Sequence, residues 1–503
     1  MTITQSYLNN LMASIGYFAP EIAIVVTFIV AILFDLIFKK SKNIAAYISI
    51  IGLIITGFIL SGNIGISKSL FDGLIVVDPY STFFKFLFLI TTILIMAMSF
   101  SYKELYENNR KVGEYYSMLV GITFGMFLLA SAVNLITIYL SIEILSLSSY
   151  VLAGYTKEIK RASEASLKYV IYGSLSSGIM VYGMSLLYGA TMTLDVAKIN
   201  VAILSGHVEL FPIIIGGLMI LVGFGYKMSA VPFHYWTPDV YEGAPITITS
   251  YLSVASKAAG FAVFIRFFKD LYLLPATSDI NVWNTISNFH WQTVVAVLSV
   301  LTMTVGNFVA LWQENVKRLL AYSSIAHAGY ILMAVVVMTN VGITSILLYF
   351  VFYMIMNLGA FFVAQLFANK IGSDNLKDYF GLGYRSPVLA VLMTVFLISL
   401  TGLPPTAGFI GKFYIFTAVL DKGLVWLAVI GVLNSVVSLF YYAKIFRNMF
   451  LRPVSADTEN NFKFSASAFP LSIAYVLAFA TILFGLYFSP ILNWAESSVT
   501  MFK

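Results

Sequence analysis

Apolar runs of about 20 residues, each almost free of charge, recur from one end of this 503-residue sequence to the other. FPIIIGGLMILV at 211–222 is the core of one of them. A helix needs about that length to cross a bilayer core of roughly 30 Å, and it satisfies every backbone polar group within the segment. Only 10% of the residues are charged and 60% are hydrophobic, whereas a soluble domain carries about 25% charged residues. The sequence therefore predicts an all-α polytopic membrane protein of about fourteen transmembrane helices. Their approximate limits are 17–38, 44–62, 81–101, 114–132, 133–154, 164–189, 211–237, 247–269, 292–313, 317–338, 341–368, 387–420, 424–447 and 465–489. The N-terminus lacks a basic segment and a small-residue cleavage pattern, so the first run is expected to be a retained helix.

The sequence has no cysteine and four histidines, His207, His234, His290 and His327, which form no HExxH arrangement. Disulfides, thiolate-held iron–sulfur clusters, covalent haem and a cysteine nucleophile are excluded. No G-x-G-x-x-G unit and no Walker A sequence occurs, so any redox or nucleotide site is expected on another chain. The net charge of +6 is dispersed over connecting segments, which points to orientation in a bilayer and not to nucleic acid.

Basic residues alternate from side to side along the chain. Lys39, Lys40 and Lys42; Lys103, Arg110 and Lys111; Lys157, Lys160 and Arg161; Lys317 and Arg318; Lys370, Lys377 and Arg385; and Arg447 and Arg452 all fall on one side of the proposed spans. The positive-inside rule then places these loops in the cytoplasm and both termini on the outer side. A single missed span would invert every later loop, so this agreement supports the count of fourteen.

Two segments, 211–245 and 387–420, are far longer than a span requires. Each has proline close to a charge: Pro232 follows Lys227, and Pro404 and Pro405 precede Lys412. Proline removes a backbone donor and opens a helix, which is tolerated at depth beside protein or a polar cavity. The two segments lie five spans apart, and an odd repeat must reverse its topology. Residues 114–270 and 291–450 are accordingly expected to form two inverted five-helix bundles, each with a broken helix. Residues 1–113 form an N-terminal three-helix segment, and 451–503 hold the last helix and tail. Matching broken helices in inverted repeats point to a transport site.

Glu143, Lys227, Lys257 and Lys412 stand deep in apolar runs. Each ionised group at the bilayer centre costs at least about 2.5–3.5 kcal/mol. Snorkelling does not suit Glu143 or Lys257, each well inside its run, but Lys227 comes late in its own. A lysine loses its proton more readily when desolvated and keeps it beside a carboxylate. A lysine facing Glu143 can thus exchange a proton as the pair parts or closes, with Lys257 and Lys412 passing it onward. That mechanism requires the four side chains to converge. A second tier comprises Glu164 and Lys168, an i,i+4 pair that is either a surface pair or tunes Lys227. His234 can feed the broken helix, and His327 in AYSSIAHAGYILMA can join a water-linked path. Asp239 and Glu242 read as a solvated loop face, and the abundant Tyr and Phe read as lipid-facing surface.

The run KMSAVPFHYWTPDVYEGAP resembles the signature of the N-type antiporter-like subunits of respiratory complex I, the proton-pumping NADH–quinone oxidoreductase. So do SIEILSLSSYVL around Glu143, SEASLKYVIYGSLSSG, the helix with Lys257, KRLLAYSSIAHAGY and LTGLPPTAGFIGKFY. One sister type carries glutamate where Lys412 stands. Another continues into a long lateral helix, whereas this sequence stops at Lys503. The resemblance implies a fourteen-helix fold with Glu143 and Lys227 in a first half-channel, Lys257 at a central connection and Lys412 on the exit side. It also implies neighbouring antiporter-like and small membrane subunits as partners, with surrounding lipid. NADH, FMN, iron–sulfur clusters and quinone are expected in other subunits, with no cofactor on this chain. The expected location is a bacterial inner membrane. The main alternative is a subunit of a multisubunit cation/proton antiporter, for which an acid-rich cation site is expected. A structural spacer leaves the buried charges unexplained, and a metabolite transporter calls for more polar residues around one pocket.

Overall fold

The structure, a computed structural model, describes residues 3–38, 41–107, 111–275, 283–285, 289–453 and 465–501. Lys39, Lys40 and Arg110, used above for orientation, lie outside the described residues. The chain begins with α1 (Ile3–Tyr17), α2 (Ala19–Ile37), α3 (Ile44–Ser61) and α4 (Pro79–Ser99). A capping box fixes the start of α4: Asp78 accepts from the Ser81 amide and Ser81 Oγ accepts from the Asp78 amide.

Five spans follow. They are α5 (Gly113–Ser131), α6 (Leu135–Ala153), α7 (Lys160–Thr191), α8 (Leu210–Met228) with the short α9 (Trp236–Gly243), and α10 (Ile246–Tyr272). The next five are α11 (Trp291–Ala310), α12 (Val316–Val336), α13 (Asn340–Ile371), the divided pair α14 (Pro387–Thr401) and α15 (Ala407–Asp421), and α16 (Val425–Phe450). The helices α17 (Ala468–Leu486) and α18 (Ser489–Ser497) close the fold. Among the described residues, 13 helices are long and apolar enough to cross a membrane. The divided pair α14–α15 supplies the remaining expected span.

Both overlong segments are interrupted. The first stops at Met228, where Ser229 takes φ 59°, and the second at Thr401, where Gly402 takes φ 88°. A left-handed residue ends a helix by turning cap amides onto its last carbonyls, here Gly225 and Tyr226 O, and Ile398 and Ser399 O. The long uninterrupted helices are α7 and α13, of 32 residues each. At 1.5 Å per residue they reach about 48 Å, well beyond the apolar core.

The two halves repeat in their joints. Asn134 caps α6 and bridges Asp195, three residues past the left-handed Met192 that ends α7. Asn315 caps α12 and bridges Asn375, three residues past the left-handed Gly372 that ends α13. The bridging hydrogen bonds also match: Leu135 N to Leu194 O with Val196 N to Val133 O, and Val316 N to Asp374 O with Leu376 N to Glu314 O. Counted from these caps, Glu143 and Ser324 hold the same helical position, and so do Tyr169 and Tyr349.

The helices α10 and α13 are buried along their apolar length and pack on each other at the centre. Phe58 of α3, Leu175 of α7 and Phe479 of α17 are exposed, as lipid-facing or partner-facing side chains are. Close backbone approach joins α7 to α8. A Cβ on Gly183 would lie 2.6 Å from Gly216 O, and one on Gly216 would lie 2.8 Å from Gly183 O. Gly183→Val is expected to force these helices apart and cost about 1–3 kcal/mol, as overpacking does. Thermal unfolding of the purified protein checks this.

Candidate functional site

Lys227 occupies the last turn of α8, beside the interruption, and is 1% exposed. It does not snorkel. A Cβ on Gly260 of α10 would stand 3.1 Å from the Lys227 Cβ. The lysine therefore packs one helical turn from Lys257. Its ammonium lies 5.8 and 5.9 Å from the ring centres of Tyr169 and Tyr226, and its Nζ has no hydrogen bond among the described residues. Glu143 on α6 is half-buried, with Oε1 enclosed and likewise unbonded. No ion pair joins the two among the described residues.

The backbone freed by the interruption is held by protein. Trp236 Nε1 donates to Tyr226 O at 3.0 Å, and Thr237 Oγ1 donates to Ser229 Oγ at 2.9 Å. The Val231 amide donates to Thr302 Oγ1 of α11 at 2.9 Å, so the second half helps to hold the break in the first. His234 is buried in this segment, its ring against Tyr235 and its Nδ1 without a partner among the described residues.

Lys257 follows a π-helical turn, Leu252–Ser256, within α10. Such turns re-aim side chains and are frequent at functional sites. Its Nζ donates to Ser324 Oγ of α12 at 2.7 Å, so Lys257 meets the serine that occupies the position of Glu143 in the other half. Next to it, Ser323 Oγ and Tyr442 OH are 2.5 Å apart, Tyr442 OH lies 3.2 Å from His327 Nε2, and His327 Nδ1 lies 2.5 Å from Tyr349 OH. Lys412, in α15, donates to Thr401 O at 2.7 Å and Ser435 Oγ at 2.9 Å, across the second interruption. Its ammonium lies 4.7 Å from the ring centre of Tyr330, whose hydroxyl accepts from Asn307 at 3.1 Å. The four first-tier residues thus do not converge on one site. They are strung through both halves, with hydroxyls and one imidazole between Lys257 and Lys412.

Asp239 and Glu242 are not a solvated face. Lys168 bonds both Glu164 and Asp239 at 2.7 Å, while Arg318 bonds Asp239 at 2.6 Å and Glu242 at 2.9 Å. These pairs tie α9 to α7 and to α12. Burial alone would raise the Asp239 carboxyl, but the Lys168 and Arg318 hydrogen bonds outweigh it and hold the carboxyl below its ordinary value. The tie is therefore complete at neutral pH and weakens as pH falls through that lowered value.

Two buried ion pairs escaped the sequence reading. Glu21 and Lys85 meet at 2.6 Å, both buried, in an ion contact without hydrogen-bond geometry. Arg266 makes a two-pronged bond to Asp78, at 2.7 and 2.8 Å. Many tyrosines are core residues and not lipid-facing surface, among them Tyr80, Tyr115, Tyr251, Tyr330 and Tyr349. Seven-residue spacing of Asp78, Lys85, Thr92 and Ser99 in the sequence was the available signal.

A model of the family described as NADH:quinone oxidoreductase/Mrp antiporter, TM, matches residues 132–438, more than half of the chain. The chain belongs to this family. The matched region contains Glu143, Lys227, Lys257, His327 and Lys412. NADH-quinone oxidoreductase subunit N 2 of Chloroherpeton thalassium is 48% identical over 500 residues, covering 98% of this chain and 96% of that protein. Subunit N of Chlorobium chlorochromatii is 44% identical over 505 residues, covering 99% and 97%. A chain of respiratory complex I from Thermus thermophilus superposes with TM-score 0.75 at 28% identity, covering 94% of this chain and 98% of that one. A chain of the Mrp complex from Dietzia superposes with TM-score 0.77 at 19% identity, covering 96% and 97%, and shows the shared fold. The resemblance to subunit N drawn from the motifs is borne out.

Proposed function

We propose that this chain is a membrane subunit of a proton-pumping NADH–quinone oxidoreductase. In this reading Glu143, Lys227, Lys257 and Lys412 carry protons while electrons pass through other subunits. The observation that supports it best is the string of three lysines, each at most 4% exposed, two of them beside helix interruptions. At a cost of at least about 2.5–3.5 kcal/mol each, ionisable groups persist at such depth where function requires them. Lys227 and Glu143 form the part that switches: drawn together they hold their charges, and parted in a dry site they give them up. Lys257, Ser324, Ser323, Tyr442, His327 and Tyr349 offer exchangeable protons toward Lys412. His234 feeds the first break. Glu164 and Lys168 hold α9 through Asp239.

The bundles at 114–270 and 291–450 are the two half-channels, flanked by the 1–113 segment and the 451–503 tail. Redox chemistry, with NADH, FMN, iron–sulfur clusters and quinone, belongs to partner subunits. Antiporter-like and small membrane subunits flank this chain in a bacterial inner membrane, with both termini outside. The test is purification from its native membrane and NADH-driven proton uptake in proteoliposomes free of Na⁺. The chain is expected to co-purify with redox subunits and to sustain pumping there. Its isolation alone as an active Na⁺/H⁺ exchanger would favour the cation/proton antiporter reading instead.

A further inference from the structure

One buried face of α4 plays no part in the lysine string. Asp78, Lys85, Thr92 and Ser99 recur every seventh residue from the cap to the end of α4, and all four are 0% exposed. Seven residues are close to two helical turns, so the four share one face. From Ser99 to Asp78 the file is about 32 Å long at 1.5 Å per residue, the thickness of an apolar core.

Each member is met by α5, α10 or α2. At the basic-loop end, Tyr115 OH lies 2.9 Å from Ser99 Oγ and 2.7 Å from Thr247 Oγ1. One step further in, Thr92, Thr123 and Tyr251 form a closed triangle of hydroxyls with sides of 2.9, 3.0 and 3.1 Å. Thr92 Oγ1 and Thr123 Oγ1 also lie 2.8 Å from Phe88 O and Leu119 O, so each threonine proton has a backbone acceptor besides its hydroxyl neighbours. Below it lies the Glu21–Lys85 pair, its ammonium 5.8 Å from the Phe127 ring centre. Polar atoms without a hydrogen bond among the described residues lie here: Glu21 Oε2, Lys85 Nζ (in its ion contact), Thr82 Oγ1 one turn along α4, and Ser131 Oγ one turn from Phe127 on α5. Buried polar groups without protein partners are commonly served by ordered water.

The two ends differ. A polar cleft of about 560 Å³ opens on the basic-loop side, lined in part by Tyr102, Lys103, Ile246 and Lys317. Ile246 adjoins Thr247, and the Tyr102 amide bonds Ser99 O, so residues lining the cleft neighbour those of the first hydroxyl step. At the other end Arg266 grips Asp78 with two hydrogen bonds and gives a third to Ala130 O at 3.2 Å. An arginine keeps its charge at any working pH. The guanidinium is therefore a fixed charge at that end, and a second cleft, lined in part by Val76 and Asp270, adjoins it.

We infer that this face is a second proton path. Protons enter from the basic-loop cleft, pass the Ser99–Tyr115–Thr247 and Thr92–Thr123–Tyr251 hydroxyls, and load the Glu21 carboxylate against Lys85. The inference rests on the reading of the chain as a proton carrier, but its residues lie outside the lysine string.

Glu21→Gln and Thr92→Val test it in the assembled complex. Threonine and valine have the same shape, so the second variant removes the hydroxyl and spares the packing. The readouts are assembly, the quinone-reduction rate and protons translocated per electron. Both variants are expected to assemble and to lose protons per electron, and Glu21→Asp is expected to restore them. An unchanged ratio in either assembled variant overturns the inference. Should Glu21→Gln fail to assemble, Thr92→Val decides in the same way. Lys227→Ala run alongside separates the two proposals: if it lowers the ratio and Thr92→Val does not, only the second path falls.

Discussion

Lys257→Ala is expected to cut redox-driven proton translocation by about 10²-fold, the lower end of what a positioned proton-transfer group supplies. Lys257 stands between the two halves. It packs one turn from the glycine that receives Lys227, and its Nζ donates to Ser324, the chain neighbour of Ser323, from which the Tyr442, His327 and Tyr349 contacts run. Alanine leaves Ser324 Oγ without that donor and removes the ionisable group between Lys227 and His327. Folding is expected to suffer little, because an isolated buried ammonium carries a desolvation cost that the variant no longer bears. Proton uptake and quinone reduction, measured together in proteoliposomes, show the loss as pumping that falls while the assembled complex persists.

Arg266→Met has its largest effect on stability. The guanidinium and the Asp78 carboxylate are 1% and 0% exposed and bonded at two points. Removing one partner leaves a buried carboxylate uncompensated, which costs about 3–5 kcal/mol. The loss falls at the joint between the N-terminal helices and the first bundle, since Asp78 also caps α4. Combining Arg266→Met with Asp78→Asn is expected to recover part of it, because asparagine keeps the cap and abolishes the stranded charge. Thermal unfolding of the single and double variants measures both effects.

The relation of sequence to structure follows where each charge sits in its helix. Lys227, Lys257 and Lys412 were legible because a lone charge inside an apolar run stands out. Glu21, Lys85 and Arg266 were not, although they are as deeply buried. Each falls within about four residues of a predicted helix end, where snorkelling accounts for a charge without further cause. The helices α4 and α10 begin earlier or end later than expected, at Pro79 and Tyr272. Asp239 and Glu242 looked like loop residues because their partners Lys168 and Arg318 come from distant helices, and nothing local announces the pairing. The repeat was legible from the two proline-broken segments. Its joints, Asn134 with Asp195 and Asn315 with Asn375, are backbone contacts between residues about 60 positions apart, which no sequence window spans. The same joints show why the halves differ chemically: the first keeps Glu143 where the second has Ser324.

In the proposed function, buried lysines couple electron transfer to proton movement through this chain. Protons per electron in proteoliposomes of the assembled complex carrying Lys227→Ala test it most directly. The amine of Lys227 lies unbonded at the first helix interruption, so its removal takes away the group that exchanges a proton with the Glu143 side. The expected result is a complex that assembles, still reduces quinone, and translocates markedly fewer protons per electron. Full coupled pumping by the Lys227→Ala complex would contradict it.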